Sequence, residues 1–119
     1  MRFDHAFADL GGIAPDRLMD GQALAGLLLA AANAAGLNAV TPPSVTTGPK
    51  GVGVALLCHG GHITLHAVPS EGLCFADVAG GTDPQRGLDV IVKRLGAREV
   101  RTDARRRGPV TRTLDPERT

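Results

Sequence analysis

The sequence predicts an α+β fold: a two-layer α/β sandwich in which two helices cover one face of a mainly antiparallel sheet. Three observations carry this. Asp20 to Ala35 and Asp83 to Leu95 repeat apolar residues at three- and four-residue steps, the period of a helix face. Short apolar runs with β-branched residues lie between them, two of them joined by a hairpin-like His59-Gly60-Gly61. The resulting order is strand, helix, strands, helix, strand.

Composition bounds the rest. The chain has 119 residues, 43% hydrophobic and 21% charged, with a formal charge of +1. That suits one globular domain and excludes both an apolar-poor disordered chain and a domain that binds nucleic acid by bulk positive charge. Phe3, Phe7 and Phe75 are the only aromatic residues besides histidine, so the core must be aliphatic and stacking platforms are scarce.

Taken in order, Phe3, Phe7 and Leu10 form an opening strand closed by Gly11-Gly12. The first helix starts at an Asp20 cap, carries Leu24, Leu27, Leu28, Ala31 and Ala35 on one face, and ends at Gly36. Thr41 to Gly51, with three prolines and two glycines, is expected to be an exposed loop. Val52 to Leu57, Ile63 to Val68 and Leu73 to Val78 are the next strands. Asp83-Pro84 caps a second helix whose Leu88, Ile91, Val92 and Leu95 share a face, with Gly96 as its stop. Ala97 to Thr102 is expected to be a final strand, giving a domain over 1–108 and a polar tail over 109–119. From Lys93 onward nine basic and four acidic residues follow a part with four basic and eight acidic ones, a segregation most simply read as a solvated tail.

A sheet with helices on one side leaves its other face polar or buries it against another subunit, so a homodimer is expected. The most apolar stretch, Ala23 to Ala32, is about half what a bilayer requires, so no membrane span is expected. The start, Met1 to His5, places an acid and a histidine where a secretory leader has its apolar run. Two cysteines, Cys58 and Cys74, are too few for a disulfide framework and read as reduced thiols of a cytoplasmic protein.

The stretch GVALLCHGGHITLHAVPSEGLCFADV, Gly53 to Val78, resembles the small prokaryotic S-adenosylmethionine decarboxylases, whose segment reads approximately ESHLSIHTWPE before a strand ending in aspartate. HAFADL at His5 to Leu10 is similar to the family's opening HLIADL-type strand, PKGVGV at Pro49 to Val54 to its PQGVTG, and Asp83-Pro84 to its helix start. The resemblance implies a two-layer subunit that dimerises through its sheet, and an enzyme that cuts its own chain to make a pyruvoyl group. In the family a serine preceded by glutamate attacks the upstream carbonyl, and elimination across its Cα and Cβ leaves the pyruvoyl. Those two positions are Gly60 and Gly61 here. Glycine has neither a hydroxyl to attack nor a β-carbon to eliminate, so self-processing at Gly61 is chemically excluded and no pyruvoyl cofactor is expected.

The family's proton-donor cysteine, in a TCG turn, aligns with Gly80-Gly81, so Gly81 is a further lost position; Cys74 lies seven residues too early. His62 and His66 fall on the family's two histidines, the second of which assists processing, and they are the candidate catalytic residues. The family's tryptophan and glutamate beyond are Val68 and Ser70 here, with Glu71 one place along.

His5, His59, His62, His66, Cys58 and Cys74 invite a metal reading, but no pair has a recognised zinc spacing. His62 and His66 on one strand stand about 13 Å apart, so no metal is expected. Gly60-Gly61 has a bland account as a tight turn needing positive φ. Gly80-Gly81-Thr82 before Asp83 has no phosphate-loop pattern, and Lys50 and Lys93 are the only lysines a Schiff-base enzyme could use.

The expected function is that of an S-adenosylmethionine decarboxylase-like protein unable to self-process, binding or transforming a small amine or nucleoside-like metabolite, with no nucleic acid or membrane partner. Whether it is an enzyme is left open. Alternatives are a non-catalytic partner of an active enzyme, and a true decarboxylase of polyamine biosynthesis using Ser44 or Ser70 as nucleophile.

Overall fold

A computed structural model describes residues 3–110 and 112–115. Its elements follow the chain as β1 (Phe3–Gly11), α1 (Gly21–Ala35), β2 (Asn38–Ala39), β3 (Ser44–Gly48), β4 (Gly51–His59), β5 (Gly61–Val68), β6 (Leu73–Gly80), α2 (Pro84–Leu95) and β7 (Glu99–Arg107), with single 3-10 turns at Pro15–Arg17 and Pro69–Glu71. The strands make one sheet in the order β2-β4-β5-β6-β1-β7, with β3 also paired to β4, and every pairing is antiparallel. Both helices lie on the same face. This is the α+β sandwich expected from the periodicities.

Alternation along the strands sorts side chains between a covered face and an open one. Ala6, Ala8 and Leu10 of β1, Val52, Val54 and Leu56 of β4, Ile63, Leu65 and Ala67 of β5, and Cys74, Ala76 and Val78 of β6 are buried under the helices. Against them pack Leu24, Leu27, Leu28, Ala31 and Ala35 of α1 and Leu88, Ile91 and Leu95 of α2. No charged or polar side chain is buried among the described residues. Asp20 accepts hydrogen bonds from the Gln22 and Ala23 amides and Asp83 from that of Arg86, so both helices have the caps their sequences propose. Gly36 and Gly96 close them.

Three expectations need correction. Thr41 to Gly51 is not simply a loop: Ser44–Gly48 forms β3, because Val45, Thr46 and Thr47 are β-branched and the outer edge of β4 is open to them. The last strand is longer than Ala97 to Thr102, running from Glu99 through Arg105 and Arg107. It pairs with β1 along that strand's whole length, from Phe3 opposite Arg107 to Gly11 opposite Glu99, while Arg101 and Arg106 make ion pairs with Asp9 and Asp4. Much of the basic run is therefore sheet rather than tail. Thirdly, only Gly60 of the Gly60-Gly61 pair has positive φ, at 78°. Of the expected tail, described residues 109, 110 and 112–115 are exposed and outside any helix or strand, and residues 111 and 116–119 lie outside the described residues.

The two helices meet closely at Gly87. A β-carbon there would stand 2.8 Å from the Ala31 carbonyl oxygen and 2.9 Å from the Ala35 methyl, whereas at Gly26, on α1, nothing lies within 4 Å. Alanine is intrinsically the better helix former by about 1 kcal/mol at either position. Gly26→Ala should therefore stabilise the protein by roughly 0.5–1 kcal/mol, while Gly87→Ala should destabilise it, the clash reversing the sign. Urea unfolding of the two variants checks this.

Candidate functional site

The open face of the sheet gathers the polar and aromatic residues that alternation keeps out of the core. Cross-strand register places Phe7, Asp77 and Thr64 side by side on β1, β6 and β5, with His5 and Ala79 in the row on one side and Asp9, Phe75 and His66 in the row on the other. Gly53 follows His66 on β4, and Leu57 follows His62.

Asp77 is the centre of this arrangement. His5 Nε2 stands 3.1 Å from its Oδ1, and the Thr64 hydroxyl donates to its Oδ2 at 3.3 Å. A carboxylate accepts only, so Nε2 carries the hydrogen and a neutral His5 keeps its lone pair on Nδ1. The His5 ring lies 5.2 Å from that of Phe7. The Asp77 side chain remains 40% exposed. His66 is fixed in the same manner from another direction, its Nε2 donating to the Lys50 carbonyl oxygen at 3.0 Å. Its Nδ1 then carries the lone pair, on the side of Gly53, with the Thr46 hydroxyl beyond that glycine.

The two predicted histidines thus share the open face of β5 and are both exposed, but the register keeps them two rows apart. His59 is exposed at the end of β4. Asp77, Thr64 and His5 were not singled out as a group from the sequence. Only the strand register joins positions this distant in the chain, and the alternation of β1 and β6 was the available signal. Among the described residues, no group of three His, Cys, Asp or Glu side chains is placed to hold a metal ion.

At one end of the sheet four glycines meet. The β4–β5 turn passes over the end of β6 with Gly61 opposite Gly80. A β-carbon on Gly61 would collide with the Ala79 carbonyl oxygen and stand 3.0 Å from Leu37 Cδ2. One on Gly80 would collide with the Gly60 carbonyl, and one on Gly81 with the Ala35 carbonyl. Gly80 and Gly81 also have positive φ, at 89° and 85°. Gly61 is glycine because backbone approaches it, not because of its dihedral angle.

Of the two thiols, Cys58 stands opposite Gly61 on β4, at this corner, and Cys74 lies away from it. Cys74 is fully buried on the covered face opposite Leu10, and burial pushes its pKa up to about 12. Cys58 is half-buried, and desolvation raises its pKa too. Of the hollows, one of about 530 Å3 lies between α1 and α2 beside Arg17 and Arg94, one of about 390 Å3 lies beside Gly12 and Arg98, and one of about 350 Å3 at the start of α2 is lined by His5. The candidate site around Asp77 and His66 is an exposed surface that this last hollow borders at His5.

Comparisons with known proteins agree with this architecture. The sequence profile of the family described as S-adenosylmethionine decarboxylase matches residues 4–108. The chain is 33% identical over 107 residues to the S-adenosylmethionine decarboxylase proenzyme of Symbiobacterium thermophilum, an overlap of 87% of this chain and 81% of the relative. It is 31% identical over 110 residues to the proenzyme of that name from Aquifex aeolicus, covering 89% and 81%. The crystal structure of the Aquifex aeolicus adenosylmethionine decarboxylase superposes with a TM-score of 0.80 at 25% identity, over 95% of this chain and 96% of that one.

Because burial pushes the Cys74 thiol up to about 12 from an ordinary value of 9.0, its protonated form favours the folded state. The sign follows: this contribution is complete below about pH 9 and is lost as pH rises from there toward about 12. Urea unfolding from pH 7 to 11 should show a stability decline above pH 9 that is much smaller in Cys74→Ala, the raised Cys58 thiol leaving the remainder. At pH 7.5 a disulfide reagent should titrate Cys58 slowly and Cys74 only after unfolding.

Proposed function

This chain belongs to the S-adenosylmethionine decarboxylase family, and from that premise we propose that it is an uncleaved member, without a pyruvoyl group, that binds or transforms a small amine or nucleoside-like metabolite on the open face of its sheet. The observation that carries this reading is Gly61. A pyruvoyl group is made from a residue with an oxygen on its β-carbon, and Gly61 has no β-carbon. Its surroundings point the same way, because the Ala79 carbonyl and Leu37 occupy the space a side chain would need. The residues present do not fit the group.

Gly81, at the family's cysteine position, supplies no proton donor, and Cys74 is sealed under the helices. Any chemistry here then relies on the open face. His66, which keeps an unprotonated nitrogen toward Gly53, is the best placed proton acceptor, with His62 exposed farther along the strand. The half-exposed Asp77 carboxylate suits an ammonium group, and Phe7 beside it on β1 and Phe75 in the next row of β6 offer aromatic surface.

A homodimer through this face is part of the same reading, since Leu57 is 61% and Phe75 41% exposed. That exposed apolar surface equally favours a second reading, in which the chain is a non-catalytic partner of an active enzyme. The free thiols of Cys58 and Cys74 accord with a cytoplasmic location. The proenzyme names of the relatives favour an ordinary decarboxylase processed elsewhere in the chain. Against that, Ser70 lies at the β5–β6 turn, the far end of β5 from Gly61, and Ser44 lies on β3 opposite Ala55.

Intact-mass measurement of the purified protein should give one chain of 119 residues. Two fragments, the second blocked by a ketoacyl group, would refute the reading. In a thermal-shift screen of amines, amino acids and nucleosides, at least one compound should raise the melting temperature saturably. Asp77→Asn should weaken that compound roughly tenfold or more, the scale of one charge-assisted hydrogen bond. His66→Ala should abolish any turnover. Activity appearing only in a complex with a second enzyme would favour the partner role.

A further inference from the structure

The edge of the sheet at β7 is long and open. All nine residues of Glu99–Arg107 are exposed, including Val100 and Ala104 on the side where the helices lie, and the outer backbone of this strand has no partner strand among the described residues. Such an edge is a template for another strand unless something defends it. Natural edges are commonly defended by charge, and charges of one sign would repel a second copy. The charges here are of both signs instead.

On the open-face side, β7 presents Glu99, Arg101, Asp103, Arg105 and Arg107 in succession. Pairing β7 with the β7 of a second copy across a two-fold axis brings like faces together, and outward-facing backbone groups meet only when the axis passes through a residue position. Three such registers keep at least seven residues of the strand paired, centred on Thr102, Asp103 or Ala104. Centring on Asp103 sets Arg101 against Arg105 and Asp103 against its own copy. Centring on Ala104 sets Arg101 against Arg107. Centring on Thr102 sets Glu99 against Arg105 and Arg101 against Asp103, twice over, with Val100 against Ala104 on the other side. Only this last register has opposite charges at every charged pair within the ladder, and opposed like charges destabilise a pair of strands.

We infer that β7 is a homotypic interface: two copies of this chain join edge to edge through antiparallel β7 strands centred on Thr102, making one continuous sheet. In that arrangement each Arg101 lies between Asp9 of its own chain and Asp103 of the other, extending the ion pair already made within the protomer. Arg106, which falls beyond the paired segment opposite Arg98, is neutralised by Asp4 of its own chain. The interface lies at the edge of the sheet and is independent of any association through the open face.

Charge reversal and its compensation test this register. Sedimentation velocity of the full chain and of Glu99→Arg, Arg105→Glu and the double swap is the measurement. Each single reversal should halve the assembled mass and the swap should restore it, because the swap exchanges the two ends of the same pair. Hydrogen exchange should show β7 amides protected in the parent protein and in the swap, and exposed in the single variants. Leu57→Asp, which alters only the open face, should leave β7 protection unchanged. Unaltered mass and β7 protection in both single variants would overturn the proposal, as would a swap that remains dissociated.

Discussion

The structure depends on burial on one side of one sheet. Alternate residues from Ala6 to Leu10 of β1, Val52 to Leu56 of β4, Ile63 to Ala67 of β5 and Cys74 to Val78 of β6 go beneath α1 and α2, and all of these are aliphatic, alanine or cysteine. Nothing polar has to be satisfied in that layer, so the core makes no chemical demand beyond fit. The residues between them are thereby released from packing. His5, Asp77, Thr64 and His66 can form a hydrogen-bonded surface because they have no part in holding the helices to the sheet.

A second constraint operates at the corner where the β4–β5 turn meets the end of β6. Gly61, Gly80 and Gly81 allow peptide groups to approach at distances that a methyl would forbid, and Gly60 takes the positive φ of the turn. At Gly61 the contact is with main chain, and a side chain there would require the Ala79 peptide to move away.

The helices, the central strands and the family were legible in the sequence because each rests on local information: a 3.6-residue period at Leu24 to Ala35, a cap at Asp20, a run of motif residues from His62 to Pro69. What was not legible depends on pairing across long separations. The strand at Ser44–Gly48 was hidden by the prolines around it, and β7 was cut short because Arg105 to Arg107 look like tail until Asp4 and β1 are placed beside them. The site was half visible. His62 and His66 came from the motif, but His5 and Asp77 are 72 positions apart and meet only through the β1–β6 register. The reason for Gly61 was also beyond local reading, since the atom that excludes a side chain there belongs to Ala79.

The same segregation gives the molecule an unusual optical character. Register puts Phe3, Phe7 and Phe75 on the open face, the buried layer contains no aromatic ring, and the chain has no tryptophan or tyrosine. The near-ultraviolet dichroism of this protein therefore originates from that surface alone and is silent about the interior. A spectroscopist following those bands watches whatever settles on the sheet, while melting of the core must be followed through the peptide signal.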